Sequence, residues 1–315
     1  MKIPIRFLLM LLLTGLVLAD PNERKFDFTY EATMENLVPG SEIRMWSPLP
    51  QETSVQKVSK LRFASSLSTQ ESLDSQGNRI LYLTGRVPKN GQIVLEVKAK
   101  IERQEWLTKS KNWFLPQAQT FRRDLQASRL VPTSGPALDV AKHLKAPAET
   151  RASARQIYDL VLGHLNYDKS NPGYGNGDSL WACDSRTGNC TDFHSLFLSL
   201  VRSRSIPARF EIGFPLPELR GEGSIGGYHC WASFWSDTHD WTPVDISEAD
   251  KHPEKAEYFF GQLDPNRVSL SLGRDLVFEP EQASGPANYF VEPLVELNGV
   301  KQSNLVLKVS YQDLD

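Results

Sequence analysis

The sequence predicts an α+β protein whose first third is all β. Three observations predict it: strand-like alternation through the first hundred residues, one amphipathic helix behind a glycine turn at Gly188, and three short aromatic or β-branched stretches after that helix. With 315 residues the chain is long enough to build two cores.

The chain opens as a leader. Lys2 and Arg6 precede an apolar run from Phe7 to Leu18, and Val17-Leu18-Ala19 offers a small-residue cleavage site before Asp20. The run is short for a bilayer, so the mature chain is expected to carry no membrane span. Residues 1–19 read as a signal peptide, and the protein as exported, periplasmic or secreted. Residues 20–105 read as a small antiparallel β-sandwich-like domain. Phe26, Phe28 and Tyr30 alternate with polar residues, Ile43 to Trp46 ends at Pro48, Ile80 to Leu83 follows a Gly77-Asn78 turn, and Leu95 to Ile101 alternates strictly. Residues 106–150, with Trp106, Trp113, Pro116 and Pro132, read as a connector.

A helix is predicted from about Ala152 to Leu165, opening an α+β domain over 151–275. Residues 171–188 are rich in glycine and read as a tightly bending loop; no Lys-Ser or Lys-Thr follows, so a phosphate cradle is not indicated. The next helix starts at Cys190 and stops at Ile206-Pro207, with Phe193, Leu196, Phe197, Leu200 and Val201 on one apolar face. Arg209 to Phe214, His229 to Trp235 and Trp241 to Ile246 then read as strands of an antiparallel sheet. Residues 276–315, including Tyr289-Phe290-Val291 and Leu305 to Val309, read as a C-terminal β extension packed on that domain.

Composition narrows the partners. The net charge is −3, with 40% apolar and 23% charged residues and no basic block, so nucleic acid has no electrostatic support. Three cysteines, Cys183, Cys190 and Cys230, leave at least one thiol free in an oxidising compartment. Cys183 and Cys230 are expected to pack without meeting, a disulfide between them being the alternative.

The chemistry centres on Cys190. A thiol at a helix N-terminus sits against the positive end of the dipole, which favours the thiolate. Such a nucleophile needs a base, and the base needs an orienting partner. His229 opens one predicted strand and Asp245 closes the next, so the two can meet across an antiparallel pair. A zinc site lacks ligand spacing, because His229 and Cys230 are adjacent on a strand, and no calcium loop is present. No cofactor or metal is expected. His194, four residues past Cys190, reads as structural or pocket-lining, and Arg209 as half of an ion pair. The backbone N–H of Cys190 is the natural first oxyanion donor; Trp181 or Tyr167 are candidates for a second, with Tyr228 and Trp231 as further pocket residues.

Gly188-Asn189-Cys190 with its helix, Ile206-Pro207-Ala208-Arg209, Tyr228-His229-Cys230-Trp231 and Trp241-Thr242-Pro243-Val244-Asp245 resemble the transglutaminase-like superfamily, whose core is papain-like. The chain is similar, more specifically, to exported bacterial proteins carrying that domain behind a β-rich region. The resemblance implies a Cys190–His229–Asp245 triad and a thioester formed from an amide. Ser205 stands where the family often has glycine, which touches a helix-ending turn and not the chemistry. The expectation is a thiol-dependent amide or peptide hydrolase acting on a peptide or protein substrate. The alternatives are a cross-linking transamidase using an amine acceptor, and a non-catalytic peptide- or envelope-binding scaffold.

Overall fold

Alternation in the first hundred residues becomes six strands: β1 (Glu23–Met34), β2 (Glu42–Pro48), β3 (Gln56–Ser65), β4 (Ser68–Leu73), β5 (Arg79–Arg86) and β6 (Ile93–Gln104). The computed structural model describes residues 22–108, 121–145, 147–236 and 238–314; the leader over 1–19, Trp113 and Pro116 lie outside these. Next come β7 (Trp106–Leu107), α1 (Thr150–His164), β8 (Asn166–Tyr167), α2 (Ser179–Ser185), β9 (Thr187–Gly188) and α3 (Cys190–Ser203). The second half holds β10 (Ala208–Pro215), β11 (Glu222–Ser224), β12 (His229–Ser236), β13 (Asp240–Val244), α4 (Ile246–Lys251), β14 (Gln262–Leu263) and β15 (Arg267–Leu272). The chain closes with β16 (Leu294–Leu297), β17 (Val300–Gln302) and β18 (Val306–Asp313).

Two five-stranded antiparallel sheets make the β-rich part, in the orders β11-β18-β1-β6-β3 and β17-β16-β2-β5-β4. Every second residue of β1 (Phe26, Phe28, Tyr30, Ala32 and Met34) is buried, as are Ile43, Met45, Leu81 and Leu83 of the other sheet, all in one core. The second sheet is covered on its other face too. There Trp46 and Ile80 pack with Leu276, Phe278 and Phe290, and the Trp46 indole donates to the Pro280 carbonyl at 2.8 Å.

The C-terminal extension reaches further than its expected place on the catalytic domain, because its strands also complete the two β-rich sheets. β16 pairs with β2 (Val295 opposite Met45) and β18 with β1 (Phe28 opposite Tyr311, Tyr30 opposite Val309). Without them β1 and β2 would be bare edges of their sheets. The extension also meets the catalytic side in two places: β18 pairs with β11 (Gly223 opposite Tyr311), and in the segment before β16 Tyr289 donates to Gly175 O at 3.0 Å while Phe290 O accepts from Ser271 Oγ. Tyr289 to Val291 are not a strand: the Phe290 carbonyl goes to Ser271 of β15 and the Val291 carbonyl to the Tyr30 hydroxyl of β1.

The same core continues onto the four-stranded antiparallel sheet β13-β12-β10-β15, with α3 laid against β12 and β10 and flanked by α1, α2 and α4. The three strands expected after α3 are β10, β12 and β13. The loop over 171–188 is not all turn, because α2 starts within it where the Asp178 carboxylate accepts from the Leu180 and Trp181 N–H groups at 2.9 and 3.2 Å. Nor is α3 one-sided: every residue from Cys190 to Arg202 is buried.

A chain ending at Pro293 is expected to lose its cooperative urea transition, because both sheets lose their C-terminal strands. A single transition at the full-length midpoint would contradict the shared sandwich.

Candidate active site

Cys190 is the first residue of α3, and its position is fixed by a dense N-terminal cap. The Asn189 side chain accepts from Thr191 N–H at 2.9 Å, while the Asp192 carboxylate takes the Asn189 N–H at 2.9 Å, a closed capping box. Asp192 also accepts from Gly175 N–H at 2.7 Å and Gly177 N–H at 2.9 Å. The glycine-rich loop is thus wrapped around the carboxylate that caps the helix. Gly188 has to be glycine, since a Cβ there would lie 2.5 Å from the Asp192 Cβ.

His229 opens β12, opposite Gly213 of β10. At Gly213 the pairing of β10 with β15 shifts register, and a Cβ there would sit 1.8 Å from Val268 O. Asp245 follows β13 and is the N-cap of α4. Its Oδ1 accepts from Glu248 N–H and Ser247 Oγ, both at 3.1 Å. Its Oδ2 faces His229 Nε2 at 2.7 Å and accepts from an Arg267 guanidinium nitrogen at 3.0 Å. With Nε2 committed to Asp245, the other ring nitrogen of His229 is the one left for Cys190.

The electrostatics follow from these contacts. Burial alone would push the Cys190 thiol up, but hydrogen bonds from Cys230 and His229 and the charges of His229 and His194 hold it well below the ordinary thiol range. Burial would lower His229; the Asp245 charge and hydrogen bond, then Cys190, raise it to about 10. Asp245 is held far down: burial opposes ionisation, and His229 and Arg267 overcome it. These contacts favour the thiolate of Cys190, the imidazolium of His229 and the carboxylate of Asp245.

Two residues that sequence reasoning missed or misread support this group. Arg267, buried at the start of β15, bridges Asp245 and Asp264, the latter at 2.7 Å; a lone arginine at a strand start carries no local signal. His194, expected to be structural or pocket-lining, reaches the sheet. Its Nε2 accepts from Ile246 N–H at 3.1 Å, its Nδ1 lies 2.7 Å from Cys190 O, and Cys230 Sγ is 3.6 Å from the same nitrogen. The ring therefore ties the start of α3 to the turn that carries Asp245. Arg209 makes its ion pair, with Asp124 at 3.0 Å.

The pocket candidates separate. Tyr167 and Tyr228 line a cleft of about 430 Å³ beside His229, together with Lys169, Leu216 and Lys251. Burial, then the Cys190 charge, pushes the Tyr167 hydroxyl up to about 12. The Tyr228 hydroxyl accepts from Asn189 Nδ2 at 3.2 Å and lies 3.4 Å from the Tyr289 hydroxyl. Trp181 is half-buried against Gly173. Trp231 is a correction: it is fully buried with the Arg103 and Arg267 guanidinium groups at 5.8 and 4.9 Å from its ring, so it lines no cleft. All three cysteines are free thiols. Among the described residues no His, Cys, Asp and Glu group is arranged to hold a metal, and no helix is long and apolar enough to cross a membrane.

A buried helix presenting a cysteine to an antiparallel sheet that carries histidine defines a papain-like α+β core. Residues 138–246, which contain Cys190, His229 and Asp245, match the model of the transglutaminase-like superfamily, and the chain carries a domain of that superfamily. Over nearly its whole length the chain is similar to an uncharacterized protein of Haemophilus influenzae, 24% identical over 336 residues and covering 89% of this chain and 87% of the other. It shares its fold with a Cytophaga hutchinsonii protein provisionally described as a cysteine protease. That match has a TM-score of 0.61 at 17% identity, over 93% of this chain and 92% of that one. The periplasmic domain of TgpA from Pseudomonas aeruginosa is more distant, at a TM-score of 0.36 and 19% identity over 71% of this chain and 75% of that one.

The shifted His229 and Cys190 make stability depend on pH. His229 is raised by folding, so its stabilisation is complete below about pH 6.5 and is lost as pH climbs to about 10. Cys190 is lowered, so its stabilisation is complete above about pH 8.5 and is lost as pH falls through its folded value. Between about pH 6.5 and 8.5 the folded pair (thiolate and imidazolium) and the unfolded pair (thiol and imidazole) each hold one proton, so their contribution is flat. Above that window it falls by about 1.4 kcal/mol per pH unit. In Cys190→Ala the fall is expected to begin roughly two units lower, near pH 6.5. Urea midpoints measured from pH 6 to 10 check this; identical profiles for the two proteins would contradict the ion pair.

Proposed function

We propose that this protein is a thiol-dependent amide or peptide hydrolase in which Cys190 is the nucleophile, His229 the acid–base and Asp245 the group that orients the imidazole. The observation that carries the reading is the 2.7 Å contact of His229 Nε2 with Asp245, which leaves the other ring nitrogen to Cys190 at a helix N-terminus. The Cys190 sulfur attacks a carboxamide carbon, forming the C–S bond as the carbonyl π pair moves onto oxygen. The intermediate collapses, the C–N bond breaks, and the departing amine takes the proton from His229 Nδ1, leaving a thioester. Neutral His229 then takes a proton from water as that water attacks. The C–S bond breaks, the acid leaves, and the thiolate and imidazolium are restored.

The oxyanion would be met by the Cys190 N–H at the start of α3. Tyr167 is the second donor favoured by the geometry. Tyr289 donates to Gly175 O, so the Tyr228 proton goes to Tyr289 and is already engaged. Tyr167, on the same cleft, has no hydroxyl partner among the described residues. Hydrolysis is preferred over transamidation because water needs no acceptor site of its own. The leader-like N-terminus supports an exported chain, with peptide or protein amides outside the cytoplasm as substrates.

The test is digestion of a complex peptide mixture by the protein lacking residues 1–19, with and without a primary amine, read by mass spectrometry for new termini, deamidation and acyl adducts on Cys190. Cys190→Ala and His229→Ala are expected to cut turnover at least about 10³-fold. Turnover that survives Cys190→Ala would refute the assignment, and products carrying the amine in place of water would move it to transamidation.

A further inference from the structure

A cavity of about 490 Å³ lies apart from the cleft beside His229 and takes no part in the steps above. It sits at the far end of α3, whose last turn carries Arg202, about 18 Å along the axis from Cys190. Four arginines line it: Arg123, Arg202, Arg209 and Arg274. Two carboxylates share the lining, and both are already engaged. Asp124 accepts from Arg209 Nε at 3.0 Å and Nη2 at 3.1 Å, and Asp275 accepts from the Arg129 N–H at 2.6 Å. The two buried guanidiniums have only neutral hydrogen-bond partners. Arg202, 9% exposed, donates to the Asp124, Gln126 and Ala208 carbonyls. Arg274, 6% exposed, donates to Ser195, Asn288 and the Gly177 carbonyl. Arg123 is exposed and has no side-chain partner among the described residues. Ser128 Oγ, on the same lining, is shielded from water and also has no partner among them.

We propose that this cavity is an anion-binding site, in which the Arg123 and Arg202 guanidiniums and the Ser128 hydroxyl hold the carboxylate or phosphate group of a small molecule. Backbone carbonyls satisfy N–H groups but leave the charge of a buried guanidinium uncompensated, which is costly. Burial pushes Arg202 down to about 10, against the pull of Asp124 and with Arg274 adding to the fall, so it stays charged at neutral pH. Of its five N–H groups, Nε–H and one on each terminal nitrogen are used, so two are left. A guanidinium fork meets carboxylate and phosphate oxygens equally well. The volume falls within the range of small-molecule pockets. Residues 109–120, the sequence leading into Arg123, contain no Asp or Glu to serve as the counter-charge. The site stands apart from the reading of Cys190 as nucleophile.

The experiment is calorimetric titration of the protein lacking residues 1–19 with inorganic phosphate and, separately, succinate. Ionic strength is fixed with sodium chloride, and melting temperatures are read alongside. The variants are Arg123→Glu, Ser128→Ala and, as a charge-matched control, Arg62→Glu on the exposed edge strand β3. Wild type is expected to bind at least one of the two anions and to melt higher in its presence. Arg123→Glu is expected to weaken binding at least about tenfold, the loss of a charge-assisted hydrogen bond. Ser128→Ala is expected to weaken it roughly threefold to tenfold, and Arg62→Glu to match wild type. Binding of phosphate alone would assign the site to phosphorylated molecules, and of succinate alone to carboxylates. Neither heat nor a melting shift with either anion up to about 10 mM, a range that covers millimolar Kd, would overturn the site. Equal weakening by Arg123→Glu and Arg62→Glu would also overturn it, because the binding would then follow overall charge.

Discussion

Asp245 is the buried carboxylate on which the site depends. It is fully buried, and isolating such a charge from water costs several kcal/mol unless it is paired and hydrogen-bonded. Four groups meet it: the Glu248 N–H, the Ser247 hydroxyl, His229 and Arg267. Each fixes something different. The first two start α4, His229 is turned so that its free nitrogen faces Cys190, and Arg267 ties the loop after β13 to β15. The charge that orients the imidazole is also the cap of a helix and the anchor of a strand.

The β-rich part bears on the site through β15. The Gln56 side chain lies between the sandwich and this strand, accepting from Ser269 N–H at 2.8 Å and donating to Ser269 O at 3.0 Å. Arg24, buried on β1, reaches Asn266 Oδ1 at 2.7 Å, one residue before Arg267. These contacts hold the strand that supplies the Asp245 partner. On the other side, α3 is enclosed on all faces, and its polar residues are each answered. Ser195 meets Arg274, Ser199 meets Pro132 O, and Arg202 donates to three backbone carbonyls. A helix so enclosed keeps its N-terminus, and Cys190 with it, from moving relative to the sheet.

Much of this was legible in the sequence because the signals are local. Glycine turn, cap residues and apolar spacing mark α3 and put Cys190 at its start; aromatic stretches around His229 and before Asp245 mark neighbouring strands. Other features have no local signature. β18 pairs with β1 across most of the chain length, and its alternation says that it is a strand without saying whose partner it is. Arg267 reads as any basic residue until the fold sets it beside Asp245. His194 at four residues from Cys190 could be placed on the right helix face, but the approach of β12 and of Ile246 N–H to that face is a tertiary fact. Trp231 looked like a pocket residue because it adjoins the histidine motif, whereas strand alternation and the two flanking arginines bury it.

The central claim is that Cys190 and His229 form a thiolate–imidazolium pair held by Asp245. The most direct measurement is thiolate absorbance near 240 nm against pH, in wild type, Cys190→Ser and Asp245→Asn. The account predicts one thiolate already present in wild type below about pH 6.5, absent from Cys190→Ser, and appearing only at higher pH in Asp245→Asn. A wild-type signal that first rises near pH 8.5, the ordinary thiol value, and is indifferent to Asp245→Asn would contradict it.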